Sequence, residues 1–220
     1  MQPIQIRLCA AGIAFLAAGA TLDPAAAQGA RVRTTPISER AITLAPAEAG
    51  AAALTVTSPD FESMGSLDRK FMQAVAGGQN KSPAIVWSAG PAGTQSYVLI
   101  AEGVGETRAD PTVHWIVYDI PLTARSLPQG VPTDVEIANP AGAINGIEDS
   151  ESGREDIGGA PGYRGPNPPA GATHPYYFQV FALDKKLSLD PAKAKRTAVI
   201  DAMKGHVLAS GEIVVKYSSK

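Results

Sequence analysis

Between Gly158 and Pro175, ten of eighteen residues are glycine or proline. Proline removes backbone donors and glycine raises the entropy cost of ordering, so no helix survives that density. Such a segment is held by its neighbours or has no structure. It feeds directly into Tyr176–Leu183, YYFQVFAL, where aromatic, β-branched and aliphatic residues run without a breaker. That composition reads as a strand. Both alternating sets are largely apolar: Tyr176, Phe178, Val180 and Ala182 against Tyr177, Gln179, Phe181 and Leu183. The pattern predicts a central strand covered on both faces. His174 sits at the junction of loop and strand, and loops anchored on a rigid scaffold are where binding groups concentrate.

The chain of 220 residues suits one domain with a tail. Residues 1–27 read as a secretory signal peptide: Arg7 precedes the apolar run Leu8 to Ala20, and Ala25-Ala26-Ala27 forms a small-residue cleavage step. The run is too short to span a bilayer, which needs ~20 residues. The mature protein is therefore expected in the periplasm or secreted, with no transmembrane anchor after processing. Arg7 and Asp23 are the only charges before Gln28, so the net charge stays −2. That balance speaks against a nucleic-acid partner, which calls for a strong basic bias. Cys9 is the only cysteine and leaves with the leader, so no disulfide or thiol chemistry is expected.

Residues 28–53 read as an N-terminal extension, mostly irregular, with a short strand at Ala41–Leu44. Strands are predicted at Leu54–Thr57, Ile85–Trp87, Ser96–Ala101 and His114–Ile120, each punctuated by turn residues. Lys70–Ala76 is helical by composition but short. Residues 122–175 are poor in regular structure, which in a compact domain points to site-building loops. One helix is clear. Asp190 caps it, Pro191 takes its first position, Ala198, Val199, Ala202 and Met203 form its apolar stripe, and Gly205 stops it. Strand pieces follow at His206–Ala209 and Glu212–Tyr217. The sum is a mainly β fold, a sandwich of antiparallel sheets with a small C-terminal helix.

His114 and His174 both open core strands and could share one pocket with Tyr176 and Tyr163, or be two unrelated structural histidines. His206, after the helix stop, reads as structural or capping. Gly103-Val104-Gly105 fails as a dinucleotide loop, because a strand and not a helix follows it. Glu148, Asp149, Glu151, Glu155 and Asp156 lack the spacing of a calcium motif and read as a solvated loop. No nucleophile elbow, metalloprotease motif or phosphate loop is present. No catalytic residue, metal or cofactor is assigned.

Several blocks in order, LTVTSPDF, GGQNKSPAIVWSAGPAGTQSYVLIAE, DPTVHWIVYDIP, GYRGPNPPAGATHPYYF, FALD and AMKGHVLASGEI, resemble the phosphatidylethanolamine-binding protein family, in its bacterial Raf-kinase-inhibitor-like branch. The resemblance covers Leu54 to the end, giving a domain at 54–220. It implies a sandwich of two antiparallel sheets with a small anion pocket at one end, taking phosphate-like groups such as phospholipid head groups. His114 matches one pocket histidine of the family. His174 and Tyr176 match the His and Tyr of its His-Arg-Tyr. Gly165 and Asn167 fall in its Gly-Pro-x-Pro-Pro loop, and Tyr163 just before it. Two features depart from the family. Gly103–Thr107 stand where it carries Asp-Pro-Asp-Ala-Pro, and Pro175 replaces its arginine.

The leading expectation is an exported, non-enzymatic ligand-binding or regulatory protein with a pocket of histidine, tyrosine and loop amides. That pocket is expected to lack a fixed positive charge. Phosphate binding is then weak at neutral pH and stronger in mild acid, because a free imidazole charges near ~6.5. Two alternatives are an inhibitor-like module docking a protein through loops 122–160, and a hydrolase or isomerase using the two histidines.

Overall fold

The computed structural model describes residues 40–50, 52–104, 111–148 and 159–218. The expected signal peptide lies outside these residues. So do Glu106 and the acidic positions Asp149–Asp156.

Two antiparallel sheets face each other. The smaller joins β1 (Val56–Thr57), β2 (Ile85–Trp87) and β5 (Ser126–Leu127) in the order β1-β2-β5. The larger holds β3 (Ser96–Gly103), β4 (Thr112–Pro121), β6 (Glu136–Ala138), β7 (Ala141–Asn145), β8 (Thr173–Leu183) and β9 (Val207–Ser218). Its order is β6-β7-β4-β3-β8-β9. The sandwich architecture expected from sequence is therefore the one adopted. β8 lies between β3 and β9, inside the sheet, as its two apolar faces require.

Each face of the large sheet buries its own core. The inner face, toward the small sheet, carries Tyr97, Leu99 and Ala101 of β3, Trp115 and Val117 of β4, and Tyr176, Phe178 and Val180 of β8. The outer face carries Val98, Ile100, Ile116, Tyr118 and Phe181, covered by α1 (Ala41–Leu44) and α2 (Arg196–Met203). Alternation along a strand produces this split, since successive side chains point to opposite faces.

Five expectations need correction. Ala41–Leu44 is a helical turn and not a strand, and it packs on the outer face of the large sheet. The Ala41 amide donates to Glu102 Oε2 at 3.0 Å and the Ile42 amide to Gln179 Oε1 at 2.7 Å. Arg40 pairs with Glu212 and lies 4.3 Å from the Tyr177 ring centroid. No local pattern announces docking onto partners so distant in sequence. Second, Asp190 caps only a single tight turn, Pro191–Lys193, through the Ala192 amide. The chain then breaks so that the Ala194 carbonyl can accept from the Ile147 amide at 2.9 Å, and α2 starts afterwards. Third, the last strand pieces are one strand, β9. Gly211 sits inside it because a Cβ there would lie 2.0 Å from the Leu54 carbonyl oxygen. Fourth, the stretch 122–175 holds β5 and the β6–β7 hairpin, so it is less irregular than its composition suggests. Lys70–Ala76 forms two single turns, Arg69–Phe71 and Ala74–Ala76, in place of a helix.

Candidate functional site

β4 and β8 both begin where β3 ends, so Thr112, His114, His174 and Tyr176 lie at one end of the large sheet. Gly103 is the pivot: it pairs with Thr112 on one side and Tyr176 on the other. A bulge in β4 decides which way His114 faces. Ala101 pairs with Trp115 and Glu102 with Val113, leaving His114 as the extra residue. Val113 and Ile116 belong to the outer core, Trp115 to the inner one. The bulge thus turns His114 inward beside Trp115, a re-aiming that such irregularities commonly provide.

There the His114 ring meets Tyr176 edge-on, with centroids 5.2 Å apart. Their strands are separated by β3, a span of about 9.5 Å. The rings close it because the end of β3 between them presents only Ala101 and Gly103 on this face. His174 follows Tyr176's alternation two residues nearer the strand's start, on the same inner face. Its Nε2 is buried and has no hydrogen-bond partner among the described residues, and the same holds for Thr112 Oγ1. Sequence reasoning missed Thr112. Its only signal was position, two residues before His114.

The glycine/proline loop is clamped over this end. The Arg164 amide donates to the His114 carbonyl at 2.8 Å, and His114 Nδ1 lies 2.9 Å from the Arg164 carbonyl. A carbonyl only accepts, so Nδ1 carries the proton, and in the neutral ring Nε2 holds the lone pair. Neutral His114 is therefore an acceptor at Nε2. Asn80, in a left-handed conformation with φ 53, holds the loop from below. Its amide donates to the Tyr163 carbonyl at 3.1 Å and its Oδ1 accepts from the Gly165 amide at 2.8 Å. Sequence reasoning missed Asn80, which follows Gly77-Gly78-Gln79 with no local sign of this role.

Two expected ligand contacts are thereby committed to the fold. The Tyr163 hydroxyl donates to the Phe71 carbonyl at 2.9 Å, its ring packs on Trp115, and burial pushes its ionisation far up. Gly165 gives its amide to Asn80, and a Cβ there would meet the Phe71 carbonyl oxygen at 2.2 Å. These two residues build the site's wall. Asn167 lies in a neighbouring cleft of about 540 Å³ with Arg69 and Tyr217, and Tyr217 is the cross-strand partner of His174. A second cleft, of about 530 Å³, runs past Asn80, Tyr163, Arg164 and Glu148.

The charges also differ from expectation. Arg164 brings a fixed cation close by, and Glu148 balances it at 3.6 Å. Glu148 is only 4% exposed and accepts from the Ala160 amide, so this member of the acidic run is not solvated. Glu102 points to the outer face and takes no part in the site.

A family model, phosphatidylethanolamine-binding protein, matches residues 40–218. The chain belongs to the phosphatidylethanolamine-binding protein family. A UPF0098 protein of Aquifex aeolicus is 33% identical over 171 residues, covering 77% of this chain and 91% of that one. A UPF0098 protein of Methanothermobacter thermautotrophicus is 34% identical over 140 residues, covering 64% and 84%. The crystal structure of Escherichia coli YbcL, described as a new member of the mammalian PEBP family, superposes with a TM-score of 0.67 at 28% identity. That match covers 77% of this chain and all of YbcL. The match from residue 40 agrees with the docked N-terminal segment and places the family domain's start ahead of Leu54.

Proposed function

We propose that this family member is a non-enzymatic protein that binds a small oxyanion at the sheet end formed by His114, His174, Tyr176 and Thr112. The observation that carries the reading is the His174 Nε2, buried without a hydrogen-bond partner among the described residues, on the face that Tyr176 and His114 share. A buried polar atom left unpaired costs about 1–3 kcal/mol, so a fold retains one where something else satisfies it. The nearby Arg164 is already balanced by Glu148, which makes the site close to neutral and its affinity modest. Binding tightens as imidazoles gain protons, because charge-assisted hydrogen bonds are the stronger ones. Calorimetry with phosphate and phosphoethanolamine between about pH 8 and about pH 5.5 tests this. Weak binding that strengthens in acid and vanishes in His174→Ala is expected. Binding indifferent to both would place the ligand elsewhere.

Export belongs to the same proposal and rests on the sequence of residues 1–27. N-terminal sequencing of material from the producing cell should begin within a few residues of Gln28. A retained Met1 would end that part of it.

A further inference from the structure

The cleft of about 530 Å³ shares Tyr163 and Arg164 with the sheet-end site but none of its histidines. Its lining carries both signs of charge: Arg164 and Glu148 lie 3.6 Å apart, and Glu148 is only 4% exposed. Gln73 adds an amide to the same lining. The residue is 9% exposed and its backbone is spent: the N–H donates to the Pro166 carbonyl, and the carbonyl accepts from the Ala76 and Gly78 amides. Its side chain does not cap the turn that follows it and has no hydrogen-bond partner among the described residues. A buried amide in that state points to a polar group from outside the chain. Val75 and Pro161 supply apolar surface beside these groups, and Val75 is 79% exposed.

We propose that this cleft binds a free α-amino acid with an apolar side chain, its carboxylate on Arg164, its ammonium on Glu148 and the Gln73 amide as a further contact. The charges decide the class. A lone anion or a lone cation meets one opposite charge here and one like charge. A zwitterion laid against the pair meets two opposite charges and leaves the cleft as neutral as before. The spacing narrows the class. An α-amino acid carries its two charges about 3 Å apart, close to the separation of the pair, and each methylene inserted between them widens that gap by about 1.3 Å. A guanidinium has several donors and a carboxylate several acceptor positions, so each can hold its neighbour and a ligand at once. The Gln73 amide both donates and accepts, which suits either end of a zwitterion. Val75 and Pro161 give the ligand's side chain apolar surface, and the cleft's volume lies in the range of small-molecule pockets.

The test is calorimetry on the full chain at about pH 7, where an α-carboxylate and an α-ammonium are both charged. The probes are L-valine, isovalerate, which lacks the ammonium, isobutylamine, which lacks the carboxylate, and γ-aminobutyrate, which holds the two charges farther apart. L-Valine is expected to bind about tenfold tighter than each of the others. Gln73→Leu should weaken valine about tenfold while the melting temperature holds or rises, because the variant removes a buried amide that has no partner in the described chain. Saturating phosphate should leave valine binding unchanged. Either single-charge analogue binding as tightly as valine overturns the zwitterion, and γ-aminobutyrate doing so overturns the spacing. Displacement of valine by phosphate overturns the cleft as a separate site. No binding by any of the four probes overturns the proposal, whatever phosphate does at the sheet end. Full affinity in Gln73→Leu, or binding lost only in step with stability, removes Gln73 from the site.

Discussion

Two polar clusters sit back to back on the end of β3, and they are built on opposite principles. On the outer face, the fully buried Glu102 takes a bond from Arg196 Nε at 2.6 Å, from Gln179 Nε2 at 2.8 Å and from the Ala41 amide at 3.0 Å. Gln179 in turn accepts from the Ile42 amide. The Glu102 carboxylate and the Gln179 amide both find partners within the chain, and together they tie the N-terminal segment, α2 and two strands of the sheet. On the inner face, one residue along the strand, Thr112 and His174 keep buried polar atoms that no described residue satisfies. A buried network is stabilising when complete and a liability when partial. The complete one is therefore architecture, and the incomplete one is where the proposed oxyanion would bind.

The largest effect that can break this contrast is on the outer face. Glu102→Ala takes the buried carboxylate away from Arg196 and leaves Gln179 and the Ala41 amide short of an acceptor. Breaking a buried ion pair from one side costs about 3–5 kcal/mol, and denaturant unfolding should register a loss of that order. Glu102→Gln keeps an acceptor and fills the same space, so its loss should be smaller, about 1–3 kcal/mol. A change under about 1 kcal/mol in Glu102→Ala would mean that the cluster does not hold the fold.

The smallest expected effect is on the inner face, and there the size of the change decides the question. Thr112→Val removes a hydroxyl that has no partner in the described chain and keeps its shape. Unfolding free energy should stay within about 0.5 kcal/mol of the parent or rise slightly, because an unsatisfied buried group is removed and no bond is lost. A loss above about 1 kcal/mol would show that the hydroxyl is bonded in the folded protein, and the two faces would then be alike.

The outer face also carries Tyr118, whose hydroxyl donates to the Leu189 carbonyl. Burial first, then the charges of Asp119 and Asp190, push its ionisation up to about 12. Between the ordinary value for tyrosine, ~10, and that value the unfolded chain has given up this proton and the folded chain has kept it. Its contribution to stability is thus whole below that window and falls as pH rises through it.

The amino-acid sequence by itself determined much of this protein. It located the strands at Ile85–Trp87, Ser96–Gly103, Thr112–Pro121 and Thr173–Leu183 to within a few residues, because alternation and uninterrupted apolar runs are local signals. It marked His114, His174 and Tyr176 through the blocks shared with the family, and it stopped α2 near Gly205, which does adopt φ 76. Only the tertiary structure decided the rest. Whether His114 faces the inner or the outer core depends on one bulge, set by how β4 registers against β3, and nothing in the tripeptide Val113-His114-Trp115 states a register. The Arg164 carbonyl that orients the imidazole, the Phe71 carbonyl that takes the Tyr163 hydroxyl, and the Glu102 carboxylate that receives the Ala41 amide are all contacts between residues fifty or more positions apart. A sequence shows which groups are present. Which of them find partners within the chain is fixed only when distant segments meet.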